Sequence, residues 1–303
     1  MKKIVQDIRT YVGEINKPVL VISMLIMAAC VYFNFAFGWN SYINKQSSHW
    51  QFLYWYLIFF SSLCLPYCIR YVLYRKNYFK ARRFFLLLLL APALFAWKMS
   101  AWFYFSFTEH AADNVYWNKV VYWPVKLLVM LAALYITWRW FNRKTSFYGM
   151  TTAGFQPKPY AWMLLIMIPL IAAASTQPDF LSMYPKLQHM IPDQNNLPVW
   201  KKMLFELSYG LDFVGIELYF RGFLILAFIQ WVGKDAILPM AMFYCTIHFG
   251  KPLGECISSF FGGIILGVVT YHTRTIWGGL MVHLGIAWLM ELGGFIGNHY
   301  SFS

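Results

Sequence analysis

The sequence predicts an all-α polytopic membrane protein with about eight to nine transmembrane helices. Hydrophobic residues make up 60% of the chain and charged residues only 12%, about half of the roughly 25% that is typical of globular proteins. Aromatic residues reach 21%. A soluble protein of 303 residues could not bury so much apolar surface, so much of this surface must face lipid.

Apolar runs interrupted by short polar segments define the predicted spans. Several are close to the roughly 20 residues that cross a bilayer as a helix, and the seventh and eighth are shorter. The runs cover residues 18–38, 50–73, 84–107, 121–141, 160–175, 199–230, 236–250, 256–272 and 276–297.

The distribution of charge predicts the orientation of these spans. The net charge is +13, but the cations lie in short loops between apolar runs, which indicates contact with an anionic lipid leaflet rather than with nucleic acid. The basic segments 70–83 and 139–158 are separated by two spans, so they face the same side as the basic N-terminus. We therefore expect a multi-pass protein of the inner (cytoplasmic) membrane, with a cytoplasmic N-terminus.

The chain changes character near residue 197, which suggests three regions. Residues 1–175 would form about five N-terminal transmembrane helices, residues 176–198 a proline-rich extracytoplasmic loop, and residues 199–303 a C-terminal core. In this last region polar residues enter the spans themselves and glycines become frequent. Ionisable groups inside a bilayer are costly and are usually functional, so any chemistry is expected there.

Span six carries a glutamate and an arginine within an apolar run. Glu217 and Arg221 are four residues apart, so on a continuous α-helix they share a face and can pair. This pattern is equally compatible with a structural ion pair that joins helices.

Two histidines and two further carboxylates lie on the following spans. His248 ends span seven, and an imidazole there could act as a base or ligand, although a single buried histidine is more often structural. Glu255 follows a helix-breaking segment, and His283 and Glu291 lie eight residues apart on the last span. No H-E-x-x-H, G-x-S-x-G or P-loop pattern is present, which disfavours zincins, serine hydrolases and nucleotide hydrolases.

The order of these residues resembles the CAAX protease and bacteriocin-processing family of intramembrane proteases, also called the Abi family. The resemblance covers roughly residues 200–292. It is carried by Glu217-xxx-Arg221, by Tyr244-xxx-His248, and by Phe260-Phe261-Gly262-Gly263 leading to His283. It implies a C-terminal four-helix core of the type found in this family.

The resemblance also implies roles for the matching residues. In the family, a glutamate and the first histidine are thought to activate water, while the second histidine and an asparagine steady the oxyanion. By position, His248 would orient the water and His283 would stabilise the developing charge. Two positions depart from the family pattern: Ile216 replaces the first glutamate of a pair, and Ala287 replaces the asparagine.

The sequence therefore leaves several functions open. The first is an intramembrane endopeptidase that acts on a membrane protein or a lipidated, membrane-proximal peptide, with Glu217 and Glu255 as the acid/base groups and Glu291 as a stand-in. The alternative is a catalytically dead family member that binds a peptide or partner. A transporter is a weaker third hypothesis, because no inverted repeat is visible. The sequence predicts no cofactor outright. A zinc ion stays an alternative, which would need His248, His283 and a carboxylate to converge.

Overall fold

The computed structural model describes residues 2–143, 145–191 and 196–300, and within these residues it contains helices and no strand. The prediction of an all-α polytopic membrane protein is confirmed. In the described part of the chain, seven helices are long and apolar enough to cross a membrane. They are α2 (Lys17–Phe37), α4 (Ser48–Tyr74), α5 (Arg82–Ser100), α6 (Ala111–Phe141), α7 (Pro157–Ala174), α13 (Leu253–Thr273) and α14 (Trp277–Tyr300).

The other two predicted spans are broken into shorter elements. The run at 199–230 forms the α-helix α10 (Val199–Glu217), then a π-helix (Leu218–Ala227), then the short helix α11 (Ile229–Val232). The run at 236–250 forms α12 (Ile237–Thr246), which has ten residues. A helix of this length rises only about 15 Å, half of the roughly 30 Å hydrocarbon core.

The third predicted span is shorter than its apolar run. The pattern predicts a helix over residues 84–107, but α5 ends at Ser100 and a segment without regular secondary structure follows. Two asparagines of α6 bind the backbone of this segment: Asn118 bonds both the N–H and the carbonyl of Phe105, and Asn114 accepts from Phe107 N–H. These side chains replace the helical hydrogen bonds that an apolar pattern alone would predict.

The chain divides into two compact units, each assembled from several stretches of sequence. The first unit comprises Met1–Ala101, Ala133–Phe155 and Leu218–Ile276, and the second comprises Trp102–Ala132, Gln156–Glu217 and Trp277–Ser303. The remaining short helices are α1 (Lys2–Glu14), α3 (Trp39–Asn44), α8 (Pro178–Leu181) and α9 (Lys186–Met190), with a 3₁₀ turn at Gly233–Ala236.

Aromatic packing forms the core of the first unit. Phe59 of α4 and Phe95 of α5 meet Phe243 of α12, with ring centroids 4.7 and 5.9 Å from it. Phe95 also contacts Tyr219 and Phe220 of the π-helix, each at 5.0 Å. The π-helix is therefore held by aromatic side chains from the N-terminal part of the chain, outside the region that carries the family resemblance.

The core of the second unit joins α6, α10 and α14. Buried residues of this core include Trp123 of α6, Phe205 and Phe213 of α10, and Leu280 of α14. The division at residues 175 and 198 stays a prediction. Each compact unit contains helices from both sides of these residues. Residues 192–195 of the predicted loop lie outside the described residues.

Candidate functional site

Glu217 and His283 form a buried pair within the second unit. Glu217 is the last residue of α10 and its side chain is fully buried, whereas His283 lies in the second turn of α14 with 14% of its side chain exposed. The Nδ1 atom of His283 is 2.9 Å from Oε1 of Glu217. Phe213, one helical turn before Glu217, places its ring edge-on to the imidazole at 4.7 Å.

This geometry defines the chemistry available to the pair. When Nδ1–H donates to the Glu217 carboxylate, Nε2 of the neutral imidazole is the basic nitrogen. If Nε2 accepts a proton, the adjacent carboxylate stabilises the imidazolium. Apolar surroundings strengthen this interaction because little solvent screens it. The arrangement is therefore that of a base held in one tautomer by a buried acid.

The two residues that depart from the family pattern belong to the apolar core of the second unit. Ala287 lies one helical turn after His283, is 4% exposed, and is part of the buried cluster that contains Phe205 and Phe213. Ile216 packs against the same cluster. These positions therefore supply neither a second carboxylate nor an amide, and apolar contacts occupy them instead.

Glu291 has a structural contact of its own. It follows His283 by two helical turns, and its Oε2 accepts a hydrogen bond from the backbone N–H of Lys186 at 2.7 Å. Lys186 begins α9, so the carboxylate satisfies one of the donors that a helix start leaves without an intrahelical partner. The proposed use of Glu291 as a stand-in base would have to compete with this contact.

A second group of predicted residues comes together in the first unit. Arg221 lies in the π-helix and is fully buried, with its guanidinium carbon 4.2 Å from the centre of the Tyr244 ring. His248 contacts the same tyrosine. Its Nδ1 is 2.8 Å from the Tyr244 carbonyl oxygen, and the two rings meet edge-on at 4.7 Å.

The Tyr244 carbonyl sets the tautomer of His248, as Glu217 does for His283. A carbonyl can only accept, so Nδ1 carries the proton and Nε2 is the basic nitrogen. The predicted pairing of Arg221 with Glu217 assumed a continuous α-helix. The π-helix begins at Leu218, directly after Glu217, and the pairing itself stays a prediction.

Glu255 lies in the first turn of α13, within the first unit. Its Oε1 forms an ion pair with Nζ of Lys251, four residues earlier, at 3.5 Å. Among the described residues, no group of three or more His, Cys, Asp or Glu side chains is arranged to hold a metal ion. Zinc binding stays a prediction, and we derive no step through a metal.

Asn34 of α2 supports the loop that carries His248, a role that the sequence pattern did not predict. This residue is 3% exposed, and its Nδ2 donates to the Phe249 carbonyl at 2.8 Å, next to His248 in the chain. Phe249 lies in the loop after α12, so this hydrogen bond from α2 helps to hold the loop in place. The only signal in the sequence was an amide within an otherwise apolar span.

Comparison with known proteins supports the resemblance seen in the motifs. Residues 200–289 match the family model described as "Rce1-like: Type II CAAX prenyl endopeptidase Rce1-like". No curated protein and no solved structure shows significant similarity to the chain. The match covers less than a third of the sequence and includes Glu217, Arg221, His248 and His283. The predicted resemblance is thus confirmed: residues 200–289 of this polytopic membrane protein are similar to the Type II CAAX prenyl endopeptidases.

Proposed function

We propose that the protein is an intramembrane endopeptidase that hydrolyses a membrane-proximal peptide bond. The observation that carries this proposal is the 2.9 Å contact between Glu217 and His283. A fully buried carboxylate that orients an imidazole is a common arrangement for general-base catalysis. The similarity of residues 200–289 to Type II CAAX prenyl endopeptidases supports a proteolytic reaction.

In this proposal, His283 Nε2 removes a proton from a water molecule as the water oxygen bonds to the scissile carbonyl carbon. The imidazolium that forms is stabilised by Glu217. The same proton then passes to the leaving nitrogen as the C–N bond breaks, giving a carboxylate product and an amine product. Because Ile216 cannot accept a proton, the base role falls to the dyad rather than to a pair of adjacent glutamates.

His248 and Arg221 are assigned supporting roles in this proposal. The resemblance implies that His248 orients the water. With the proton on Nδ1, its Nε2 is the nitrogen that can accept a hydrogen bond from water. Arg221 is a positioning residue: it stacks on Tyr244, whose carbonyl binds His248. Glu255 would act only if its ion pair with Lys251 opened, so we give it no step.

We further propose the substrate class and location. A lipidated or otherwise membrane-proximal peptide would reach a buried dyad through the bilayer, and the family name points to prenylated substrates. The basic segments 70–83 and 139–158 favour a cytoplasmic N-terminus. The family resemblance favours the inner membrane of a bacterium.

A catalytically dead peptide-binding protein is the second candidate function, and a specific observation favours it. Ile216 and Ala287 are packed in the apolar core of the second unit. Loss of one oxyanion donor alone lowers turnover by about 10²–10³-fold in known enzymes. In such a protein the Glu217–His283 pair would stabilise the helices around a peptide-binding cavity.

Cleavage in proteoliposomes tests the first proposal. The full-length protein is incubated with a farnesylated peptide ending in Cys-aliphatic-aliphatic-X and with the same peptide lacking the prenyl group. We expect the Glu217→Gln and His283→Ala variants to lose about 10²–10⁴-fold in kcat while remaining folded. Glu109→Gln is the matched control, because Glu109 is exposed.

The outcomes separate the two candidate functions. Cleavage that is lost in both dyad variants and retained in Glu109→Gln supports the endopeptidase. Cleavage that is unchanged by either dyad substitution contradicts the proposed roles. If the wild-type protein binds the farnesylated peptide but cleaves neither peptide, the dead, peptide-binding protein is the better description.

A further inference from the structure

A cavity of about 300 Å³ lies in the first unit, and none of the candidate catalytic residues lines it. It is formed by three segments that follow helices: the turn after α6, the stretch from the π-helix through α11 to Gly233, and the end of α13. Its lining includes Asn142, Leu226, Ile229, Gln230, Tyr271 and Arg274. A volume of this size accommodates a small ligand or a headgroup.

Arg274 provides the positive charge of this cavity. It caps α13 in the left-handed conformation, with φ of 59°, and its backbone N–H bonds the Thr270 carbonyl at 2.9 Å. Its guanidinium stacks over the Tyr271 ring at 4.9 Å, which limits the conformations of an otherwise flexible side chain. Among the described residues, no carboxylate forms an ion pair with Arg274.

The neutral polar lining residues add hydrogen-bond donors. The amide groups of Asn142 and Gln230 both donate to the Ala227 carbonyl, at 3.5 and 3.0 Å. Each NH₂ group has two N–H donors, so one of each pair is left for a ligand. The Asn142 carbonyl oxygen already accepts from Tyr148 OH at 3.3 Å. A cavity with a guanidinium and amide donors, and with no acid in its lining, is complementary to an anion.

The position of the cavity distinguishes a lipid from a soluble anion. Asn142 directly follows α6 and Arg274 directly follows α13, and both helices are long and apolar enough to span a membrane. The cavity therefore lies where a span ends, at the level of the lipid headgroups. Leu226 and Ile229 give it an apolar wall that a free phosphate would not use. Basic pockets between transmembrane helices are known to hold anionic headgroups.

We propose that this cavity binds the phosphate group of an anionic membrane lipid, with Arg274 as the principal ligand and the Asn142 and Gln230 amides as secondary donors. Such a lipid would join the turn after α6, the end of the π-helix and the end of α13. The site is independent of the proposed endopeptidase activity, because none of its residues belongs to the Glu217–His283 pair.

Native mass spectrometry of the full-length protein tests this site. Phosphatidylglycerol and phosphatidylcholine are the probes, and inorganic phosphate is the competitor. We expect phosphatidylglycerol to be retained in preference to phosphatidylcholine. Arg274→Gln should weaken retention roughly fivefold or more, since one Arg near a lipid surface contributes about 1 kcal/mol. Gln230→Leu is a second variant, expected to cause a smaller loss in the same direction.

Arg75→Gln is a closely matched control. Arg75 also caps a spanning helix, α4, in the left-handed conformation with φ of 53°, and its N–H bonds the Tyr71 carbonyl at 2.9 Å, but it does not line the cavity. Equal losses in the Arg75 and Arg274 variants would overturn the site in favour of general surface charge. Absence of a preference for phosphatidylglycerol would also overturn it. Displacement of the lipid by millimolar inorganic phosphate would assign the cavity to a soluble anion instead.

Discussion

The Glu217 carboxylate differs from most acidic groups in this chain because it is fully buried and directly bonded to an imidazole. In water, a carboxylate–imidazole contact exchanges one set of hydrogen bonds for another, so it contributes little net free energy. Inside the protein, removing one partner leaves the other without a bond that solvent cannot replace. The same pair that we assign to catalysis should therefore also affect stability.

We expect the stability effects of Glu217→Gln and His283→Ala to be coupled by about 1–3 kcal/mol in a double-mutant cycle. Chemical unfolding of detergent-solubilised protein gives the free energy of unfolding of each variant. Asp113 and Lys201 provide the reference pair in the same unit: their atoms are 2.8 Å apart, but 45% of the Asp113 side chain is exposed. For this pair we expect little measurable coupling. Equal coupling in the two cycles would show that burial does not strengthen the Glu217–His283 contact.

Single residues also show how much of the site could be predicted from the sequence. The types and order of Glu217, His248 and His283 indicated the family, because each is costly inside an apolar span unless it has a function. Their partners could not be predicted. Glu217 bonds His283 across 66 residues of chain, and Arg221 stacks on Tyr244. The pairing of Glu217 with Arg221 stays a prediction. Spacing rules describe neighbours within one regular helix, and tertiary partners are beyond their reach.

The π-helix at Leu218–Ala227 is the element that the sequence patterns predicted least well. Apolar periodicity indicated a single span over 199–230, since a change from α to π geometry leaves the hydrophobic content unchanged. The π-helix places Gly222 against the turn after α6. A β-carbon on Gly222 would lie 2.5 Å from the Tyr148 carbonyl oxygen and 3.0 Å from its β-carbon. Only glycine permits this approach without displacement of the backbone.

Gly222→Ala should therefore lower the free energy of unfolding by about 1–3 kcal/mol, because the added methyl group overpacks a backbone contact. Gly262→Ala is the control: Gly262 lies within α13, and a β-carbon added there would have nothing within 4 Å. Replacing glycine by alanine in a helix with free space is expected to be neutral or to stabilise by up to about 1 kcal/mol. Unfolding of both variants in detergent, followed by circular dichroism, gives the comparison. Equal free energies of unfolding for Gly222→Ala and Gly262→Ala would contradict this expectation. They would mean that Tyr148 moves away from the added methyl group without loss of stability.

At the scale of the whole molecule, composition was the most reliable guide. Apolar content predicted a helical membrane protein, and seven helices in the described residues can span a bilayer. Composition did not predict the two compact units, because each is built from segments far apart in sequence. The order of apolar runs along the chain carries no information about which helices pack together. Together with the positions of the basic loops, this order does predict which side of the membrane each loop faces.

The basic residues after α4 and after α6 predict that both loops are cytoplasmic and that the loop between α5 and α6 is on the opposite side. Residues 75–83 contain five Lys or Arg and no acid, whereas residues 101–110 contain none of these cations. A cysteine introduced at Ser106 should then react with a membrane-impermeant maleimide in sealed right-side-out vesicles, and one at Lys80 should react only after the vesicles are opened. Both positions are exposed, so access across the membrane decides the result.

Peptide mass spectrometry locates the label despite the native cysteines, and a permeant maleimide that labels both sites is the control. Labelling of Lys80→Cys first would place the N-terminus outside, because two spans, α2 and α4, separate Lys80 from it.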